Sequence, residues 1–156
     1  MYISNEFSRL EINLNGCLEN YRYFRSRLEA STKLLVLVKA NAYGHGAVQF
    51  ASLMEEAGAD YLAVAYPIEG IELRQAGIKS PVMVLTAGTD SFEQIVNYGL
   101  EPGIPNMYSL RVLCDVLQKR GINDFPIHIK IDTGMHRLGF MSDELPELME
   151  YLSSCS

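Results

Sequence analysis

Five short apolar runs alternate with segments of helical character along most of the chain, and this alternation constrains the fold more than any other feature. The runs occupy residues 34–38, 61–65, 82–85, 100–104 and 126–132. Helices are predicted, from apolar spacing and capping residues, at 47–57, 67–76, 91–98, 107–120 and 145–155. Such alternation predicts an α/β fold with a parallel sheet, either closed as a barrel or open and doubly wound.

The segment before the first run is predicted to be structural only. Residues 10–14 alternate apolar and polar side chains, which is compatible with a short strand. Asn15 is a plausible N-cap for a following helix that carries Leu18, Tyr21 and Phe24 at helical spacing. Nothing in this segment suggests chemistry.

Composition excludes several functional classes. The chain has 156 residues, 48% hydrophobic and 21% charged, which is typical of one globular domain. A net charge of −6 with scattered basic residues argues against nucleic acid. The longest apolar run is far too short for a membrane span, and 1–4 do not resemble a signal peptide, so a cytoplasmic location is expected. Cys17, Cys114, Cys155 and the three histidines are isolated, so neither a disulfide nor a metal site is predicted.

Lys39 stands at the end of the first apolar run and is followed by small, polar and glycine residues. Parallel α/β folds place their chemistry at this end of the strands. Alternation puts Lys39 on the face that Leu35 and Leu37 share. If that face lines a barrel, desolvation would lower the pKa of the amine and favour Schiff-base formation. The alternative is a lysine that simply extends into solvent.

The segment from Val38 to Gly46, Val-Lys-Ala-Asn-Ala-Tyr-Gly-His-Gly, resembles the cofactor-attachment motif of the alanine racemases. In that family the lysine forms a Schiff base with pyridoxal 5′-phosphate (PLP) and the tyrosine four residues later contacts the cofactor phosphate. The resemblance therefore implies that Lys39 is catalytic and holds the cofactor, with Tyr43 as a second cofactor-binding residue. Leu85 matches a family position beside the cofactor.

A second motif, from Lys130 to Phe140, resembles another stretch of the same family, about ninety residues after the first. The strand before it alternates isoleucine with His128, Lys130 and Asp132, so these polar side chains would line a barrel interior or face water at a sheet edge. The resemblance implies that Arg137 contacts both the cofactor and the substrate carboxylate. It also implies that Lys130 can be carbamylated and can then support that arginine. No role is assigned to His136, which is expected to be a solvated loop residue.

The resemblance covers about residues 7–152 and implies a (β/α)8 barrel of the TIM type. Such a barrel needs eight strands and typically ~250 residues, whereas the sequence supplies five strands. The chain is therefore expected to be the N-terminal portion of a PLP-binding barrel domain, spanning residues 1–156, without the C-terminal β-domain of the family. The first and fifth strands would then have unpaired edges that favour self-association or pairing with the rest of the barrel.

The implied function is interconversion of L- and D-alanine, which supplies peptidoglycan precursors, by a protein that acts as a homodimer. In the family the second catalytic base is a tyrosine from the C-terminal domain of the partner subunit, so this chain alone is expected to be inactive. Three other hypotheses stay open: a non-catalytic PLP carrier with the same barrel, a PLP-dependent amino-acid decarboxylase, and an inert folding or interaction module.

Overall fold

The predicted strands form a single parallel sheet in residues 10–154, the part of the chain that this computed structural model describes. The strands are β1 (Leu35–Leu37), β2 (Tyr61–Val64), β3 (Val82–Val84), β4 (Glu101–Ile104) and β5 (His128–Ile129). They lie side by side in chain order, each paired in parallel with the next. A doubly wound sheet reverses its strand order at a switch point, whereas a barrel does not. The order therefore confirms a partial barrel of five βα units.

The helices confirm most of the predicted elements, and the ends of the five helices predicted with bounds coincide or differ by one residue. Within the described residues they are α1 (Leu14–Ser26), α2 (Lys39–Tyr43), α3 (Ala47–Glu56), α4 (Pro67–Gln75), α5 (Phe92–Asn97), α6 (Met107–Lys119) and α7 (Leu145–Ser154). A 3-10 turn at Thr89–Ser91 precedes α5. The α2 segment is a left-handed turn rather than a right-handed helix, and it was not predicted because the sequence there was interpreted as a loop. Cys155 and the opening residues 1–4 lie outside the described part of the chain.

No helix in residues 10–154 combines the length and the apolar character needed to cross a membrane.

The core lies between the sheet and the helices that cover it. Residues of β2 and β3 such as Leu62 and Val82 are completely buried, together with Leu73, Ile95 and Leu113 from the covering helices. The edge strands are less protected, since β1 pairs only with β2, and β5 only with β4, among the described residues. Leu35 of β1 is accordingly 41% exposed. The two edges were expected from the sequence, and they place β1 and β5 at opposite ends of the sheet.

The start of the first helix differs from the prediction. Residues 10–13 form no strand, and the N-cap of α1 is Asn13 rather than Asn15. The Asn13 side chain accepts a hydrogen bond from the Gly16 amide at 3.1 Å. Asn15 lies inside the first turn, where the chain is already helical. The prediction was wrong because asparagine suits both positions by type, and only the local hydrogen bond distinguishes them.

Asn13→Ala is expected to lower the free energy of unfolding by about 1 kcal/mol, since it leaves an amide of the first turn without its acceptor. Asn15→Ala is the matched control, because Asn15 is exposed and alanine has the higher helix propensity. Urea denaturation of both variants measures the difference. Equal losses in the two variants would contradict the assignment of Asn13 as the cap.

Candidate functional site

The sequence-predicted site residues follow β1 and β5 at the carboxyl edge of the sheet. Lys39 lies two residues after β1, while Lys130 and Arg137 lie on the chain that leaves β5. All neighbouring strands run parallel, so both segments emerge on the same side of the sheet. This is the side on which barrel enzymes carry their functional groups.

Lys39 opens a left-handed turn. Ala40, Asn41, Ala42 and Tyr43 have φ angles of 52°, 54°, 50° and 55°. Non-glycine residues rarely adopt this conformation, and each costs roughly 1–2 kcal/mol. Four in succession persist only where surrounding contacts enforce them, and such strain is concentrated at functional sites. The predicted alternation also ends here: β1 stops at Leu37, so the strand pattern does not set the direction of the Lys39 side chain.

Contacts on both sides hold this turn in place. At its start, the Ala40 amide donates to the Glu69 carboxylate at 2.6 Å. In its middle, the Asn41 side chain accepts from the amide of Ala47, the first residue of α3, at 2.7 Å. The turn is thus tied to the first residue of one helix and to the first turn of another. Sequence reasoning missed Glu69, although its place three residues after Tyr66 and two after Pro67 fits a helix-capping acid.

Lys39 and Tyr43, which the resemblance pairs, are brought together by the turn. The Lys39 Nζ lies 6.0 Å from the centroid of the Tyr43 ring. Tyr43 is 60% exposed, whereas the adjacent Ala42 is buried and anchors the turn in the core. The Lys39 side chain is half-buried. This burial is intermediate between the two alternatives from the sequence, a lysine in the barrel interior and a lysine in solvent. Both functional groups are therefore accessible to a ligand at this edge.

Lys130 extends into the barrel interior, which is one of the two placements that the alternating pattern left open. Its Nζ donates to the Leu85 carbonyl, at the end of β3, across 3.2 Å. Burial lowers the pKa of the Lys130 amine, and the nearby Arg137 cation lowers it further. Lys130 therefore loses its proton at a lower pH than an ordinary surface lysine does.

A glycine in β4 makes room for Lys130. A Cβ on Gly103 would lie 3.3 Å from the Lys130 Cδ and 3.2 Å from the Val84 carbonyl oxygen. Both distances are tight, so a larger residue at this position would displace the lysine or the strand. A glycine within a strand indicates a close approach by another group, so Gly103 could have been noticed in the sequence. The sequence could not show that the approaching group is Lys130.

Asp132 does not face the barrel interior, which corrects the prediction from alternation. Its carboxylate accepts hydrogen bonds from the Gly134 and His136 amides at 2.9 and 3.0 Å. These bonds lower the pKa of Asp132, and the nearby His136 side chain lowers it further despite opposing desolvation. β5 ends at Ile129, and the chain beyond it curls around this carboxylate. His136 is an exposed loop residue, as expected, with Nδ1 3.3 Å from Asp132.

Arg137 is exposed at the tip of this loop. Within residues 10–154 its guanidinium makes no hydrogen bond or ion pair with the protein, although its charge acts on Lys130. The side chain borders a cleft of about 440 Å³, which Asn106, Asp132 and Glu144 also line. An exposed guanidinium with open donors suits a carboxylate or phosphate ligand.

His128, the third polar residue of the alternating strand, binds another side chain. Its Nε2 lies 2.7 Å from the buried Glu101 carboxylate. The Tyr61 ring packs edge-on against the imidazole, with centroids 5.8 Å apart. Burial raises the pKa of the Tyr61 hydroxyl, and Glu101 raises it further. This interior layer is satisfied without a ligand, and residues 10–154 contain no cluster of three metal-binding side chains.

The structure therefore assembles the predicted residues into two pairs, Lys39 with Tyr43 and Lys130 with Arg137. No direct hydrogen bond, ion pair or ring contact joins one pair to the other within the described chain. They share the edge of the sheet, and the interior strands β2 to β4 lie between them.

Comparison with known proteins identifies the origin of this arrangement. The family model for "Alanine racemase, N-terminal domain" matches residues 12–156. The alanine racemase of Synechocystis sp. is 42% identical over 132 residues, which are 83% of this chain and 35% of that protein. The chain thus spans little more than a third of the length of this relative.

Solved structures show the same fold. The alanine racemase of Clostridium difficile 630 superposes with a TM-score of 0.81 at 35% identity, covering 85% of this chain and 36% of that one. The alanine racemase of Bartonella henselae, solved with covalently bound pyridoxal phosphate, gives 0.83 at 28% identity, covering 91% and 41%. With the family model matched over nearly its whole length, the chain belongs to the alanine racemase family, of which it contains the N-terminal, partial-barrel region.

Proposed function

We propose that the protein to which this chain belongs interconverts L- and D-alanine with PLP as cofactor. In this proposal residues 1–156 form the first part of the cofactor-binding barrel domain. One observation carries the proposal: an accessible lysine on an enforced turn and a guanidinium that has no hydrogen-bond or ion-pair partner within residues 10–154 emerge on the same edge of one sheet. The relatives compared above are alanine racemases, which favours this reaction over a carrier or a decarboxylase.

The residues present fit PLP chemically. Lys39 offers an accessible amine for an aldehyde, and Tyr43 offers an exposed hydroxyl four residues away for an anionic group. Arg137 offers open donors for an anionic oxygen. When bound, PLP would act as an electron sink that stabilises negative charge on the substrate α-carbon. The covalently bound pyridoxal phosphate of the Bartonella henselae structure supports this choice of cofactor.

The roles of the residues follow from their chemistry. The Lys39 amine, when neutral and free, would remove or return the α-proton on one face of the substrate. Arg137 would bind the substrate carboxylate through its planar fork of donors and fix the orientation of the α-carbon. Lys130 repels Arg137 as a cation, since the Arg137 charge lowers its pKa, and would support that guanidinium only after carbamylation gave it a negative charge.

A second base is needed on the opposite face of the substrate. The family resemblance assigns it to a tyrosine in the C-terminal domain of a partner subunit. We therefore propose that the 156-residue chain does not racemise alanine alone and that the complete protein is a homodimer. The cytoplasmic location expected from the sequence stays a prediction.

Reduction of the chain with borohydride in the presence of PLP tests the proposal. Amine and aldehyde condense with loss of water, and borohydride makes the product stable enough for peptide mass spectrometry. A single dominant adduct on Lys39 is the expected result. Adducts spread over the exposed lysines in proportion to their accessibility would overturn the assignment of Lys39.

Lys130 is proposed to accept carbon dioxide as a carbamate. The reaction joins the neutral amine to CO2 and releases a proton, and the lowered pKa of Lys130 increases the neutral fraction. The product exchanges a positive charge beside Arg137 for a negative one. With carbon-13 bicarbonate, we expect one carbamate resonance that disappears in Lys130→Arg and weakens as the pH falls. A resonance that survives Lys130→Arg would assign it to another amine.

A further inference from the structure

We propose that Glu69 is the positioning residue for Lys39: its carboxylate holds the first peptide of the left-handed turn and thereby sets the direction of the lysine. The inference rests on the proposed function, because it concerns how the amine is presented to a cofactor. Glu69 touches neither the Lys39 side chain nor the proposed ligand site through any contact in the described residues. It would act only through the backbone.

Both carboxylate oxygens of Glu69 are engaged by backbone amides. One oxygen accepts from Ala40 at 2.6 Å. The other accepts from Ala65 at 2.7 Å and from Tyr66 at 3.0 Å. Charge-assisted bonds of this length are stronger than bonds between neutral groups. A single side chain therefore clamps the segment after β1 to the segment after β2.

The three contacts divide into local and distant ones. Ala65 and Tyr66 lie three or four residues before Glu69, so their bonds cap α4 as any acid at this helix position can. Ala40 is 29 residues away, and its bond is not needed for the cap. Ala40 follows Lys39 directly and is the first residue of the turn with a positive φ angle. The distant bond thus falls at the point where the chain departs from ordinary backbone geometry.

A fixed Ala40 amide determines the peptide plane that follows Lys39. The plane that precedes Lys39 contains the Val38 carbonyl, which accepts from the Ala42 amide at 2.9 Å, while the Val38 amide donates to the Ala63 carbonyl of β2 at 2.8 Å. Lys39 is held between these two planes, which fixes the direction of its Cα–Cβ bond. Without the Glu69 bond, the residues after Lys39 can relax to negative φ angles, and the lysine would lose its defined direction.

Three variants of the 156-residue chain separate positioning from capping. Glu69→Gln keeps the shape but replaces one acceptor oxygen by a donor. Glu69→Asp keeps the charge and the local cap but shortens the reach toward Ala40. Glu72→Gln is the matched control, because Glu72 lies on the same helix, is exposed, and changes the net charge in the same way as Glu69→Gln.

Two readouts need no cofactor. Hydrogen exchange measured by NMR is expected to become at least tenfold faster at the Ala40 amide in both Glu69 variants. The Leu62 amide in buried β2 reports global unfolding and is expected to exchange as in the wild type. The carbon shifts of Ala40 and Asn41, which depend on the sign of φ, are expected to move. Unchanged exchange and shifts at these residues would overturn the proposal. If the Leu62 amide also exchanges faster in Glu69→Gln, that variant is globally destabilised. The exchange of the Ala40 amide in Glu69→Asp then tests the proposal.

A third readout connects the turn to the lysine. The Lys39 share of the borohydride-stable PLP adducts is expected to fall at least fivefold in both Glu69 variants and to stay constant in Glu72→Gln. Faster Ala40 exchange with unchanged Lys39 labelling would overturn positioning and leave a merely structural contact. Absence of a selective Lys39 adduct in the wild type would instead count against the proposed function, while the exchange and shift data still decide whether Glu69 sets the turn.

Discussion

Replacing Lys39 with arginine is expected to abolish the dominant borohydride-stable adduct with PLP. Arginine keeps the positive charge and the length of the side chain, but its guanidinium stays protonated and does not condense with an aldehyde at neutral pH. The remaining adducts should be distributed over exposed lysines, and the absorbance of the bound chromophore should be lost. Peptide mass spectrometry and visible absorption spectra measure the two effects.

The matched control for this substitution is Lys79→Arg. Lys79 is exposed; its backbone amide donates to Glu55 at 2.8 Å, and its side chain makes no hydrogen bond or ion pair within the described part of the chain. This variant should label at Lys39 like the wild type. Both variants should unfold within about 0.5 kcal/mol of the wild type, because neither side chain is buried in the core. A Lys39→Arg chain that retains the full chromophore would show that another amine holds the cofactor.

The order of elements was predictable from the sequence because each depends on local signals. Apolar runs at 61–65 and 82–85 become β2 and β3, whose residues are buried except for the half-buried Tyr61 and Met83. Pro67 and Gly77 bracket α4 as expected of a first-turn proline and a glycine after a helix. Local signals could not distinguish a barrel from an open sheet, because the difference lies in which strands pair. The strand order in the structure shows the barrel.

The residue types of the candidate site were proposed from the sequence, but their geometry could not be. Lys39 and Tyr43 were identified by resemblance, yet their left-handed turn depends on Glu69, 29 residues after Ala40. No propensity scale favours four non-glycine residues at positive φ, so tertiary contacts override local preference here. For Asp132 the alternating pattern was misleading. It allowed a place in the barrel interior, whereas the carboxylate accepts hydrogen bonds from two amides of its own loop.

Gly139→Ala is expected to destabilise the chain by about 3 kcal/mol, because it combines a forbidden backbone angle with a collision. Gly139 has a φ angle of 133°, and an added Cβ would lie 2.6 Å from the Asp132 nitrogen and 2.8 Å from the Ile131 carbonyl carbon. Both atoms belong to backbone, so no side-chain rotation relieves the contact. The adjacent Phe140 donates to the Lys130 carbonyl at 2.8 Å and accepts from the Asp132 amide at 2.9 Å. Closure of the loop that carries Arg137 depends on these two bonds.

Gly134→Ala separates the effect of the backbone angle from the effect of the collision. Gly134 lies in the same loop with a φ angle of 126°, but an added Cβ would meet nothing within 4 Å. It should therefore cost about 1 kcal/mol, from backbone strain alone. Urea denaturation gives both values, and amide exchange at Phe140 should accelerate in Gly139→Ala only. Equal losses in the two variants would mean that the close approach at Gly139 contributes nothing, and that the loop holding Arg137 is maintained by the Asp132 carboxylate rather than by its closure on Phe140.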